Sequence, residues 1–222
     1  IVPPKPAVRP RYIGVQYARA FAAIAVLLFH ASQREGVNFA VGARGVDVFF
    51  VISGFIMWNI TAQAQPAPGG FFLNRLRRIA PLYWLATLAV IAAALAGAMP
   101  GLRAELTAPH ILQSLLFIPH VSPGSGEIWP VLVPGWTLNF EMFFYAVFAG
   151  FLLAPRQLRL LGLTATFAGL AALGVLIQPT NPILQTYTSP LLLEFLAGIW
   201  VAEILAHRGP MSLPASLLAM AG

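Results

Sequence analysis

The stretch that decides the fold is Arg19–Phe55, RAFAAIAVLLFHASQREGVNFAVGARGVDVFFVISGF. An apolar run holds an Arg near its start and a His near its end, a short polar crossing follows, and GVDVFF opens a second apolar run. Arg19 and His30 are eleven positions apart, just over three turns of helix, so both side chains fall on one face, about 16 Å apart. Inside a bilayer such groups are costly and face a bundle interior or a watery cavity. The face shared by Arg19 and His30 therefore reads as the wall of a site.

Working outward, 59% of the 222 residues are apolar and only 9% are Asp, Glu, Lys or Arg, against about 25% charged in an ordinary soluble domain. Several apolar runs reach the length of about 20 residues that a bilayer core demands, without strand-like alternation. The fold class is all-α: a polytopic transmembrane helical bundle with six to seven spans in this chain. The first run follows Lys5, Arg9 and Arg11 but is too long for a signal core and is followed by further spans, so it is kept as helix one. The absence of cysteine removes disulfides, thiolate nucleophiles and Cys metal sites. With the amino terminus inside, Lys5, Arg9, Arg11, Arg75, Arg77, Arg78, Arg156, Arg159 and Arg208 fall on the inner side, against Arg34, Arg44 and Arg103 outside. The positive-inside rule thus places the N-terminus in the cytoplasm. Cations split among separate loops argue against a nucleic-acid partner.

Residues 1–12, rich in Pro, read as a cytoplasmic tail beside anionic headgroups. Residues 13–222 read as one transmembrane domain. Helix one is expected over 13–31, an outer loop over 32–44, and helix two over 45–64, stopped by QPAPGG. The segment FFLNRLRR reads as a short interfacial piece, with helix three starting near Ile79 and ending near Ala98. HILQSLLFI is too short to span and is expected at the outer interface. Helices four, five and six are expected from Trp136 to before Pro155, over 158–177 and over 188–206. A further run begins after Pro210, and a chain that stops within it at Gly222 reads as a piece of a longer protein.

Chemistry collects at a few positions, each with a plainer reading beside it. His30 is suited to general-base work at neutral pH, or it is a structural histidine at the interface. Asp47, at the start of helix two, either orients His30 across the hairpin or caps its helix and pairs with Arg44. Glu141 is a second partner for His30 or for a substrate hydroxyl, or it is half of a salt bridge. Ser53 and Gly54 are small enough for close helix packing, while Glu194 and Glu203 read as structural. Arg75 and Arg78 are three apart on one face. They serve inner-side anchoring or bidentate phosphate recognition. No histidine set has metal-ligand spacing, so no metal is expected.

Four motifs in register resemble the acyltransferase-3 family of membrane acyltransferases, and most closely the branch that O-acetylates bacterial exopolysaccharides. They are Arg19 with ten residues before His30, GVDVFFVISGF at 45–55, the RxxR pair Arg75/Arg78 followed by IAPLYW, and GWTLNFE at 135–141 with Thr137 where Ser is more usual. The resemblance covers about residues 13–145 and implies about ten spans in an intact protein. It further implies acetyl-CoA as a cytoplasmic acyl donor and a glycan or lipid-linked saccharide as acceptor at the outer side of a bacterial inner membrane, alongside polysaccharide assembly machinery. It assigns catalysis to Arg19 and His30, with Asp47 and Glu141 as supports, and binding to Arg75, Arg78, Ser53, Trp136 and Thr137. The alternatives are a transport component that moves lipid, acyl groups or polysaccharide without chemistry, and a non-catalytic subunit.

Overall fold

The computed structural model describes residues 13–34, 39–63 and 66–208; the expected N-terminal tail and the run after Pro210 lie outside them. The chain folds into helices α1 (Ile13–Arg34), α2 (Gly45–Gln63), α3 (Pro68–Leu95), α4 (Pro100–Glu105), α5 (Ala108–Leu115), α6 (Trp136–Gly150), α7 (Arg156–Ile177), α8 (Pro182–Tyr187) and α9 (Leu192–Arg208), with a 3-10 turn at Ala40–Arg44 leading into α2. The described residues contain no strand. Among the described residues, six segments are long and apolar enough to cross a membrane: α1, α2, α3, α6, α7, and α8 with α9. This is an integral membrane protein built as a helical bundle. Because consecutive spans reverse direction, α1, α3 and α7 run one way and α2, α6 and α9 the other.

One boundary differs from the sequence reading. The basic segment 71–78 is not a separate interfacial piece; it forms the first turns of α3, which starts at Pro68 and runs 28 residues with Pro81 inside it. Pro68 supplies a first-turn residue that needs no N–H partner, and Pro81 is carried within a span because neighbouring groups re-satisfy the freed carbonyl. Arg75 and Arg78 are thereby fixed on a rigid helix that crosses the bundle. Helix six begins at Leu192 instead of 188, and the short α8 precedes it.

The centre of the bundle is the crossing of α2 and α9. A Cβ on Gly54 would lie 2.0 Å from the Phe195 carbonyl oxygen, and one on Gly198 would lie 1.9 Å from that of Val51. Only hydrogen fits between these backbones, as in small-residue helix contacts in membranes. Around the crossing Phe195 stacks on Phe50 with centroids 4.5 Å apart and on Phe144 at 4.4 Å, tying α2, α9 and α6 into one aromatic core. At the far end of the same helices, Glu203 accepts from the Trp58 indole N–H at 2.7 Å and from Arg156 Nε at 3.0 Å, and so joins α9 to α2 and α7. Helix α1 is held more lightly. Among the described residues of α1 only Ala22 is buried, and it approaches because Gly42 and Gly45 have no side chain to meet the carbonyls of Ala25 and Ala22.

Gly198→Val places a branched side chain against a carbonyl that cannot move aside. We expect it to cost about 3 kcal/mol and to appear as loss of the monodisperse peak in size-exclusion chromatography. Gly169→Ala in α7, where nothing lies within 4 Å of the added Cβ, leaves the peak unchanged.

Candidate active site

Span direction sorts the polar side chains by depth. The starts of α1 and α3 share one end of the bundle, bringing Arg19, Arg75 and Arg78 to the same level. The end of α1 and the start of α6 share the other, which places His30 near Trp136 and Thr137. All six line one cavity of about 330 Å³, together with Ser53, Glu141 and Tyr145. That volume lies at the lower end of the range for ligand sites, ~300–1,000 Å³. Its walls are otherwise apolar, among them Val26, Phe49, Ile52 and Met57.

In the middle of the cavity Glu141 is anchored by two hydroxyls. Ser53 Oγ donates to Glu141 Oε1 at 2.9 Å, and the Tyr145 hydroxyl donates to the same oxygen. Ser53 Oγ and the Tyr145 hydroxyl are also 3.3 Å apart, but each has one proton, and both protons are committed to the carboxylate. Glu141 Oε2 makes no hydrogen bond among the described residues and is left to a cavity occupant. Tyr145 is buried, and Arg75 is within electrostatic reach of both it and Glu141. Arg75 packs its guanidinium carbon 5.8 Å from the Phe71 ring centroid, and its buried Nε has no partner among the described residues. Arg75 and Arg78 repel each other without an ion pair among the described residues, which leaves a positive end that favours an anion.

Two expected partners of His30 are engaged by other residues. Asp47 is outside the cavity lining and pairs with Arg44 at 3.2 Å, while Glu141 is engaged by Ser53 and Tyr145. Among the described residues the His30 ring packs against Phe29, centroids 5.3 Å apart, and makes no hydrogen bond, so the imidazole can meet an occupant. Thr137 Oγ1 donates to the Pro134 carbonyl at 3.0 Å, which ties the first turn of α6 to the chain before it. Tyr145 escaped sequence reading although it stands four residues after Glu141, on the same helix face. No group of His, Asp and Glu among the described residues could hold a metal ion.

The entrance to α6 is set by a hydrogen-bonded loop. Tyr83 on α3 donates to the Ser114 carbonyl at 3.0 Å, and Gly135 gives its ring room, since a Cβ there would lie 2.5 Å from it. Ser114 Oγ accepts from Val131 N–H at 2.9 Å. Buried His110 and His120 bond ring to ring, Nδ1 to Nε2, at 2.8 Å, and His120 Nδ1 lies 2.7 Å from the Ile118 carbonyl. That carbonyl can only accept, so His120 carries its proton on Nδ1 and His110 Nδ1–H donates to His120 Nε2.

The acyltransferase-domain profile of the acyltransferase-3 family matches residues 12–222. The chain belongs to the acyltransferase-3 family. The chain is 53% identical over 177 residues to the exopolysaccharide production protein ExoZ of Rhizobium meliloti, covering 80% of this chain and 55% of that protein. It is 34% identical over 164 residues to the "Putative membrane-bound transacylase BcsY" of Komagataeibacter xylinus, covering 69% of this chain and 41% of that one. A shorter match, 38% over 85 residues, covers 34% of this chain and 12% of the "Putative peptidoglycan O-acetyltransferase YrhL" of Bacillus subtilis. The chain thus spans about half the length of the first two relatives. No solved structure matches it.

Two expectations follow. Tyr145→Phe keeps the buried ring and deletes one donor to Glu141, at a cost of about 1 kcal/mol, which a thermal melt reads as a fall of about 2–4 °C. Burial, followed by the neighbouring His120, pushes His110 below the ordinary histidine range, so the folded loop holds it neutral. The opened loop takes up a proton near the ordinary value of about 6.5. Stability of the loop is full above that pH and falls as pH drops below it, by at most about 1.4 kcal/mol per unit. Hydrogen exchange over residues 108–131, corrected for intrinsic rates, checks this between pH 7.5 and 5.5.

Proposed function

We propose that the protein is a membrane-bound O-acyltransferase that moves an acyl group, acetyl in the simplest case, from cytoplasmic acetyl-CoA to a hydroxyl of an exopolysaccharide or its lipid-linked precursor. The observation that carries this reading is the single cavity lined at one end by Arg19, Arg75 and Arg78 and at the other by His30, in a chain of the acyltransferase-3 family. The name of the ExoZ relative supports a polysaccharide acceptor, and that of YrhL an O-acetyl product. The distribution of Lys and Arg supports a cytoplasmic amino terminus in a bacterial inner membrane.

In this reading the phosphates of CoA bind Arg75 and Arg78 through charge-assisted hydrogen bonds, and the pantetheine arm passes Arg19 toward His30. The His30 imidazole takes the proton of the acceptor hydroxyl as its oxygen attacks the thioester carbonyl. The tetrahedral adduct then collapses, the C–S bond breaks, and the departing thiolate receives the proton from the imidazolium. The products are a sugar ester and free CoA thiol. Glu141 Oε2, with Oε1 anchored by Ser53 and Tyr145, holds a second hydroxyl of the acceptor and so orients the sugar.

His30→Ala is expected to lower acetyl transfer from labelled acetyl-CoA to polymer by at least about 100-fold at unchanged protein level; full transfer by this variant contradicts the mechanism. Arg75→Ala with Arg78→Ala is expected to raise the KM for acetyl-CoA at least about tenfold, and an unchanged KM removes the donor assignment. A transporter of the same cavity shape would release no CoA thiol in either assay.

A further inference from the structure

Beside the cavity, on the same end as His30, is a second concavity of about 310 Å³ between the loop before α6 and the α8–α9 junction. Trp136 lines both spaces, so the two share a wall. The second space is lined by Glu127 and Trp129 from the loop, Asn139 from α6, Gln185 and Thr186 from α8, and Ser189 from the junction. Its chemistry is unlike that of the cavity. No Lys or Arg is among its lining residues, whereas three Arg line the cavity.

The polar groups in it point to a ligand. Asn139 and Thr186 are 4% and 5% exposed, yet neither side chain makes a hydrogen bond among the described residues. An amide and a hydroxyl with no protein partner are left to bind whatever fills the space beside them. Neither residue counts among the fully enclosed orphan atoms, which means that their polar ends open onto the concavity they line. The indole N–H groups of Trp129 and Trp136 are also without partners among the described residues. Trp129 is 38% exposed, large for an indole that could have been buried in the bundle. Two indoles with free N–H groups, two side-chain amides and two hydroxyls, with no cation, match a neutral polyol. Flat indole faces take the C–H face of a pyranose, and amides donate and accept at adjacent hydroxyls. An anionic headgroup or phosphate would meet Glu127 and no positive charge.

We infer that this groove, with Trp129, Asn139 and Gln185 as its principal contacts, is the subsite for the uncharged sugar residues of the acceptor glycan, feeding one hydroxyl past Trp136 to His30. The inference rests on the acyltransferase reading above for the identity of the acceptor, and on the groove itself for its location. It also gives the loop a purpose. The bonds from Ser114 to Val131, from His110 to His120, and from Ser122 Oγ to Glu105 at 3.1 Å fix the segment that carries Trp129.

The test uses the full-length protein in detergent and oligosaccharides cut from the alkali-deacylated exopolysaccharide of the cells that make it. Calorimetry measures their binding to wild type and to Trp129→Ala with Gln185→Ala, both exposed positions whose loss leaves the core intact. We expect saturable binding to wild type and an apparent Kd raised about tenfold or more in the double variant, with acetyl-CoA affinity the same in both. Absence of oligosaccharide binding to wild type, or equal binding to both proteins, overturns the groove assignment and leaves the cavity reading in place. Binding that is lost in the double variant, in a wild type that releases no CoA thiol from acetyl-CoA, keeps the groove as a saccharide site and removes the transferase reading instead.

Discussion

The carboxylate in the cavity is positioned by a contact between two glycines and two carbonyls. With α2 and α9 pressed backbone to backbone at Gly54 and Gly198, the direction of every other side chain on α2 is determined. Successive residues on a helix turn by about 100°, so Ser53, one step before Gly54, faces away from α9 and toward α6, where it finds Glu141. Phe50, one turn earlier on the side of Gly54, falls into the stack with Phe195. Widening this crossing by the width of a methyl group would shift Ser53 away from its carboxylate and loosen the stack with Phe195.

The consequence for chemistry is a gradient along one cavity. Cations sit where α1 and α3 begin, a hydroxyl-anchored carboxylate sits midway, and an imidazole and an indole sit at the opposite end. In a low-dielectric bundle each polar group is costly unless paired. Glu141 is paired through Ser53 and Tyr145, whereas Arg75 keeps an unpartnered Nε. Arg75 thus keeps a donor that a bound anion could satisfy. The adjoining groove repeats the pattern with amides and indoles, which suits a neutral partner.

The spans were legible in the sequence, because they follow from apolar length, and their alternation follows from their order. Alternation was enough to bring His30 and Glu141 to neighbouring helices on one cavity. The start of α3 was not legible: Pro81 and three arginines look like a break, and only the surrounding bundle, which gives Arg75 and Arg78 a cavity to face, lets the helix run through them. Asp47 was ambiguous between two neighbours, and in the fold Arg44, three residues away, holds it. The Ser53–Glu141–Tyr145 cluster joins residues 88 and 92 positions apart, a pairing that local pattern does not encode. The groove was out of reach for the same reason, since residues 127–139 and 185–189 meet only after α6 and α7 have packed.

The central claim is that donor and acceptor chemistries meet inside one channel through the bundle. The most direct measurement is a cryo-electron microscopy map of the full-length protein with acetyl-CoA bound. The account predicts the nucleotide phosphates against Arg75 and Arg78, with the pantetheine arm running past Arg19 and the thioester carbon between Glu141 and His30. Density for the nucleotide elsewhere on the protein, or a thioester end that stays outside the cavity, would contradict it.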